Sequence, residues 1–286
     1  MQAMKLGSES TAAHSLDLQA CLATNELDVL ACQRLRYEIF AEEMGADLGG
    51  FARAIRLDED PLDAHCLHLM VRDVAIGKLV ACTRILLDRD VAKAGGFYSQ
   101  TEFELGNVLQ LGGRFMEIGR TCVHPYYRHG AAINCLWTGL AQQIETHQID
   151  YLIGCASIPL NDGGVAAEAI MQRLRDKHLL PEELRVTPHR VLPPATTQGD
   201  SLGVIVPPLL KAYLRLGAYI GGEPCWDPDF GVADVFILLD TQLLPARYRK
   251  HFLKQPVQKR ASTLSWVPQD ARLASAATPD CHPYPR

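Results

Sequence analysis

The sequence predicts a mixed α/β (α+β) fold in which helices flank a mainly antiparallel sheet that contains one parallel strand–helix–strand unit. Two strand-like runs, 66–72 and 78–86, lie on either side of Gly77 and have the pattern of a hairpin. Residues 114–158 then have the pattern of a strand, a long amphipathic helix and a buried strand. Because a strand that follows a crossover helix runs parallel to the strand before it, this second pattern predicts the parallel unit.

Local patterns predict the remaining elements in chain order. Residues 26–44 carry apolar side chains four positions apart, which indicates a helix, and an acidic loop follows at 57–63. Within 131–147 the apolar residues recur at intervals of three and four, as on one face of a helix. The later part of the chain predicts a buried strand at 151–158, a helix at 165–179, a loop at 181–203, a short helix at 208–216 that ends at Gly217, and a strand at 234–239.

Length and composition predict one large domain with flexible ends. A chain of 286 residues, 48% of them hydrophobic, can bury a full core. We expect residues 1–20 to be disordered, 21–253 to fold, and 254–286 to form a flexible tail that is first basic and then rich in proline. The basic character begins just before the tail, with Arg247, Arg249, Lys250, Lys254, Lys259 and Arg260.

Charge and cysteine content exclude several classes of function. The formal charge of -5 and a pI near 6.1 argue against nucleic-acid binding. Nine cysteines without a Cys-x-x-Cys pair indicate neither a disulfide framework nor a thiolate zinc site. On a strand His65 and His68 point to opposite faces, so no metal site is expected there. Neither a secretory signal nor an apolar run of bilayer length is visible, so we expect a cytoplasmic protein.

The most informative stretch runs from an acid on a strand to the start of the long helix. Glu117 lies among apolar strand residues. A helix start has unpaired N–H groups and a dipole that favour binding of a phosphate. We therefore assign the donor-phosphate site to Arg128, His129, Gly130 and Ala131. A general base near a phosphate site suits an acyltransferase whose donor is a phosphopantetheine thioester. The alternatives are an ion pair of Glu117 with Arg84 or Arg120, and an ordinary helix start.

Short blocks between residues 30 and 252 follow one another in an order that, taken together, is specific to one family. They are 35–40, Asp60, Asp63, Arg84, 117–120, 123–125, 128–130, 151–157, 207–218, 222–224 and 229–231. In these blocks the chain resembles the GNAT-fold acyltransferases that take acyl groups from acyl carrier protein. Within that group it is most similar to the L-ornithine N-alpha-acyltransferases of ornithine lipid biosynthesis, which are related to acyl-homoserine-lactone synthases.

The resemblance implies a role for individual residues. Glu117 is expected to be the general base, and the N–H groups near Cys122 and Val123 are expected to form the oxyanion site. Arginines suit a carboxylate clamp, and acids suit a cation. The resemblance therefore implies an acceptor site made of Arg36, Asp60, Asp63, Arg84 and Arg120. The residues themselves leave open whether the arginines organise the acidic loop and whether that loop is simply solvated.

The implied function is transfer of a 3-hydroxylated fatty acyl group from acyl carrier protein to the α-amine of L-ornithine, which forms lyso-ornithine lipid. The donor thioester is a co-substrate, and no further cofactor is expected. A single glycine in the phosphate loop favours the one phosphate of a carrier protein over the pyrophosphate of CoA. The basic residues at 247–260 predict contact either with the carrier or with the anionic inner face of the cytoplasmic membrane.

Other functions remain open from the sequence. The same chemistry on another acceptor gives an N-acyl amino acid or an acyl-homoserine lactone. A CoA-dependent acetyltransferase has the same fold, and a module that binds acyl carrier protein without catalysis is a different class altogether.

Overall fold

A computed structural model describes residues 17–195 and 204–245 of the chain. These residues form two compact units. The first contains 17–85 and 120–140, and the second contains 86–119, 141–195 and 204–245. The basic residues at 247–260 and the expected tail at 254–286 lie outside the described ranges.

Strands and short helices alternate along the chain. The strands are β1 Leu18–Leu22, β2 Leu67–Asp73, β3 Lys78–Leu87, β4 Phe103–Glu104, β5 Phe115–Val123, β6 Tyr151–Pro159, β7 Thr187–Pro188, β8 Tyr219–Ile220, β9 Cys225–Asp227 and β10 Val232–Asp240. The α-helices are α1 Glu26–Tyr37, α2 Gly49–Ile55, α3 Asp88–Ala94, α4 Ser99–Glu102, α5 Ala131–His147, α6 Val165–His178 and α7 Pro208–Arg215.

The first unit is built on antiparallel pairs. Strand β2 pairs with β1 on one side and with β3 on the other, which confirms the predicted hairpin. Asn25 caps α1 by accepting a hydrogen bond from the N–H of Asp28. A π-helical turn, Glu38–Glu43, continues α1 and completes the helix expected at 26–44. In α5, a Cβ at Gly139 would lie 2.8 Å from a methyl carbon of Leu69 in β2, so the absence of a side chain allows close packing at this point.

The second unit contains the parallel pair that the sequence predicts. Phe115–Ile118 of β5 runs parallel to Tyr151–Gly154 of β6. Strand β6 also pairs antiparallel with β10 along nine residues, and β10 pairs antiparallel with β8 and β9. Every residue of β10 is buried, as expected for a central strand that is apolar on both faces. The mixed, mainly antiparallel fold is therefore confirmed.

Several elements differ from the sequence prediction. Strand β1 begins at Leu18, inside the segment 1–20 that was expected to be disordered, because its backbone pairs with β2. The region 181–203 was expected to be loop, but β7 pairs with β4 and a 3-10 helix covers Glu182–Leu184. The sequence did not predict α4, which has four residues, or β8, which has two, because such short elements do not show a periodic pattern.

Within residues 17–195 and 204–245, every helix is too short or too polar to span a lipid bilayer.

The close contact between Gly154 of β6 and Ile118 of β5 can be tested by substitution. A Cβ at this position would overlap the carbonyl oxygen of Ile118, the residue that follows Glu117. We expect Gly154→Ala to lower the free energy of unfolding by about 3 kcal/mol, because a backbone atom cannot yield as a side chain can. Gly50→Ala is the control, since open space surrounds Gly50 in α2 and alanine favours a helix. Denaturant unfolding of both variants checks this, and equal stability would contradict the close contact.

Candidate active site

Glu117 is buried on β5, with only 3% of its surface exposed, and both of its carboxylate oxygens are hydrogen-bonded. The N–H of Tyr98 donates to Oε2 at 2.7 Å. The N–H and the hydroxyl of Ser99 donate to Oε1 at 2.7 and 2.6 Å. Three donors from two consecutive residues therefore fix the orientation of the carboxylate.

These contacts follow from the short helix α4, which begins at Ser99. The first N–H groups of a helix have no partner inside it, and the carboxylate of Glu117 accepts two hydrogen bonds at this start. Glu117 thus closes the beginning of α4, a structural role that the sequence did not indicate. The arginines of the ion-pair interpretation, Arg84 and Arg120, form salt bridges with aspartates.

A second group of acids lies in the same unit and was missed by the sequence analysis. Single carboxylate oxygens of Glu102, Asp227 and Asp234 all lie within 4.8 Å of one another. The Tyr98 hydroxyl donates to Oε1 of Glu102 at 2.6 Å, and the Ser157 hydroxyl donates to Oδ1 of Asp234 at 2.6 Å. Asp234 interrupts an apolar strand run, which is the same signal that singled out Glu117.

The environment of Glu102 disfavours its negative charge. Its side chain ends in a buried Oε2 that has no hydrogen-bond partner among the described residues. Burial, together with the carboxylate of Asp234, raises the pKa of Glu102 well above its ordinary value. The same acids and Glu117 add to desolvation in raising the pKa of the Cys155 thiol, whose sulfur lies 3.6 Å from the Ser99 hydroxyl. Cys155 is therefore a thiol and not a thiolate, which disfavours a covalent acyl-cysteine route through it.

The five residues assigned to the acceptor come together in the first unit, where they pair with one another. Arg36 is 1% exposed, and its guanidinium bonds Asp58 at 2.7 Å and Asp63 at 2.8 Å. Arg84 lies 2.8 Å from Asp60 and 3.2 Å from Asp63. The acidic loop, expected either to be solvated or to bind a cation, is thus a largely buried network with arginines. A capping box formed by Asp60 and Asp63 also starts the 3-10 helix Pro61–His65.

Arg120 completes this network from β5. It lies 3.3 Å from both Asp58 and Asp60, and its side chain is more exposed than that of Arg36 or Arg84. Its backbone has a φ of 51°, a left-handed conformation that is costly for a residue with a side chain. The strand is therefore distorted at the residue that presents this guanidinium.

The loop assigned to the donor phosphate leads into α5 as expected. Gly130 has a φ of 102° and open space around it, and its carbonyl accepts the N–H of Asn134 to start the helix. The Arg128 guanidinium bonds the carbonyl of Val123 at 2.9 Å and the carboxylate of Glu43 at 2.8 Å. A phosphate bound here would therefore contact the backbone N–H groups at the start of α5. It would contact the Arg128 guanidinium only if the ion pair between Arg128 and Glu43 were broken.

Cys122 and Val123, which were assigned to the oxyanion site, lie at the end of β5. The sulfur of Cys122 is buried 3.6 Å from that of Cys82, and the hydrogen bond between them, together with burial, raises the pKa of Cys82. These thiols are packing residues of the first unit.

The acetyltransferase (GNAT) domain family matches residues 35–138. An L-ornithine N(alpha)-acyltransferase of Rhodobacter capsulatus is 34% identical over 255 residues, which cover 85% of this chain and 98% of that protein. A protein of the same name from Rhizobium meliloti is 35% identical over 254 residues, 82% of this chain and 84% of that one.

A solved structure supports the fold alone. A CoA-dependent acyl-homoserine lactone synthase, BjaI, with SAM and isopentyl-CoA superimposes with a TM-score of 0.50 at 14% identity. The match covers 90% of this chain and 98% of that one. Together with the domain match, it confirms the GNAT fold.

The ion pair between Asp63 and Arg36 in the first unit should contribute to the stability of the protein. Although burial opposes its ionisation, Arg36 and the other donors lower the pKa of Asp63 to about 2 from 3.8. A lowered folded-state pKa stabilises the protein above the unfolded value, and this contribution disappears as the pH falls from about 4 to about 2. We expect Asp63→Asn to lose about 3 kcal/mol of stability at pH 7 and to unfold with a flatter acid dependence.

Glu59→Gln is the matched control, because Glu59 is an exposed acid of the same loop. Urea unfolding at several pH values measures both variants. The ion-pair network is not a source of stability if Asp63→Asn and Glu59→Gln behave alike.

Proposed function

We propose a function for this chain on the basis of its family. The chain belongs to the family of L-ornithine N(alpha)-acyltransferases, and it is an acyltransferase. We infer that it moves a 3-hydroxylated fatty acyl group from acyl carrier protein to the α-amine of L-ornithine and so forms lyso-ornithine lipid. The observation that carries this proposal is the identity of 34% that extends over 98% of a relative of that name.

The reaction needs a neutral amine and a base. An α-amino group is mostly protonated at pH 7, so a proton must be removed before or during attack. The amine nitrogen then bonds to the thioester carbonyl carbon, the carbon–sulfur bond breaks, and the pantetheine sulfur leaves as a thiol after taking up a proton. We assign the proton removal to Glu117, directly or through one water.

The geometry of Glu117 supports this assignment. Hydrogen bonds from Tyr98 and Ser99 hold the carboxylate in one orientation, so it does not need to reorganise when the amine arrives. It is buried, which strengthens its interaction with a nearby proton donor because the local dielectric is low.

The donor and the oxyanion are assigned to the first unit. The N–H groups that follow Gly130 at the start of α5 hold the phosphate of the pantetheine arm, with Arg128 and His129 beside them. The N–H groups near Cys122 and Val123 polarise the thioester carbonyl. A single phosphate and a single glycine are consistent with a carrier-protein donor.

For the acceptor carboxylate we assign Arg120, the more exposed member of the arginine network. Guanidinium groups bind carboxylates in a bidentate manner. Arg36 and Arg84 act through the loop that they hold, together with Asp60 and Asp63. The basic residues at 247–260 are proposed to meet either the acidic carrier or the anionic inner leaflet of the cytoplasmic membrane, where the lipid product belongs.

Replacement of Glu117 tests the base. We expect Glu117→Gln to lower kcat about 10²–10⁴-fold, the usual contribution of a general base, while the shape of the side chain is nearly kept. Activity is measured with long-chain acyl-carrier protein and ornithine, with mass spectrometry of the lipid product and thermal unfolding of the variant. Glu104→Gln, an exposed acid in the same unit, is the control. A Glu117→Gln enzyme that folds and keeps most of its turnover would assign Glu117 only to the closure of α4.

The donor is tested separately. We expect acyl groups on holo acyl carrier protein to react with a far higher kcat/KM than the same acyl groups on CoA. We expect this advantage to shrink as salt rises, because charge steers the association of two proteins. Initial rates with both donors at several salt concentrations measure it. Equal use of the two donors would assign the enzyme to CoA.

A further inference from the structure

The acids of the second unit form a small site that the proposed chemistry has not yet used. We name Glu102, Asp227 and Asp234 the acid triad. Glu102, on α4, is 7% exposed, and Asp234, on β10, is 4% exposed. Asp227 ends β9 and is half-buried, with one oxygen that accepts the N–H groups of Asp229 and Phe230. Ser157, which bonds Asp234, is exposed, so solvent reaches the edge of the triad.

This arrangement is unfavourable without a cation. Oε2 of Glu102 is buried and has no hydrogen-bond partner among the described residues, and a buried acceptor without a partner is unfavourable. The carboxyl oxygens of the three acids also lie within 4.8 Å of one another, and burial together with the nearby Asp234 raises the pKa of Glu102, so its negative charge is disfavoured. A positive group that donates hydrogen bonds would relieve both costs at once.

The triad is joined to Glu117 through a single residue. Tyr98 donates its backbone N–H to Glu117 and its hydroxyl to Glu102. Helix α4, which Glu117 closes at its first residue, carries Glu102 at its last. Tyr98 therefore links the proposed base to Glu102 of the triad, so that one tyrosine side chain separates the two sites.

We propose that the acid triad binds the side-chain ammonium of the acceptor amino acid. This inference rests on the proposed function, since it needs an α-amine at Glu117. An ammonium has three N–H donors, which match three carboxylates. Contact with carboxylates also keeps that ammonium protonated and therefore non-nucleophilic, so the acyl group goes to the α-amine alone. The aspartates of the loop 57–63, which the sequence offered for this role, are paired with arginines.

The test compares L-ornithine with L-norvaline, which has the same carbon chain but no side-chain ammonium. We expect wild-type enzyme to prefer ornithine. In Glu102→Gln and Asp234→Asn the KM for ornithine should rise about tenfold or more, because a charge-assisted contact is lost. The KM for norvaline should rise much less, because norvaline has no side-chain ammonium, so the preference for ornithine over norvaline should fall. Asp229→Asn, an exposed acid next to the triad, is the control and should behave as wild type.

The outcomes separate this inference from the proposed function. If wild-type enzyme acylates ornithine and the triad variants keep its full preference over norvaline, the triad is not the ammonium site. If wild-type enzyme does not acylate ornithine at all, the proposed function fails, and the inference fails with it. Should Glu102→Gln and Asp234→Asn not fold, Asp227→Asn decides, because Asp227 is half-buried and tolerates the change more easily.

Two further readouts sharpen the test. Appearance of δ-acylated ornithine in the Asp234→Asn product, seen by fragmentation in mass spectrometry, would support the triad as the group that protects the side-chain amine. Three carboxylates are also a ligand set for a divalent metal, so calorimetric titration of metal-free enzyme with Mn²⁺ tests that alternative. Tight Mn²⁺ binding that Glu102→Gln abolishes, with ornithine preference unchanged, would overturn the proposal in favour of a metal site.

Discussion

The contact on which the second unit depends is the one between the carboxylate of Glu117 and the start of α4. Without an acceptor there, the first N–H groups of the helix would be buried and unpaired. Because Glu117 is fixed in β5, it also fixes Tyr98 and Ser99, and through α4 it fixes Glu102. The carboxylate of the proposed base thus also sets the position of Glu102, one acid of the triad.

The two groups of buried acids differ in how their charge is balanced. In the first unit each aspartate of the loop faces at least one arginine, and the pKa of Asp60 and Asp63 is lowered despite burial. In the second unit the pKa of Glu102 is raised by burial and by Asp234. The first group is largely balanced within the protein and holds a loop, with Arg120 as its more exposed member. The second is incomplete, which is what a binding site for a positive group requires.

The sequence predicted what periodicity and motif blocks can encode. The hairpin at Gly77, helix α5 and the parallel pair of β5 and β6 follow from apolar spacing alone. The residues of the arginine network were named, but their mutual pairing was not, because Arg36 and Asp63 are brought together only by tertiary structure. Asp227 and Asp234 were missed for the same reason: strand pairing places them beside Glu102, which is more than a hundred residues earlier in the chain.

Cys155 shows how the charge of the second unit affects its chemistry toward other reagents. Its thiol lies beside Ser99 and near Glu102, Asp234 and Glu117, which add to desolvation in raising its pKa. Oxidants and alkylating agents attack thiolates, not thiols. Although part of Cys155 is exposed, burial first and the nearby carboxylates second therefore keep it in the unreactive thiol form. Cys155 is thus a poor target for cysteine-directed inhibitors of the proposed active site.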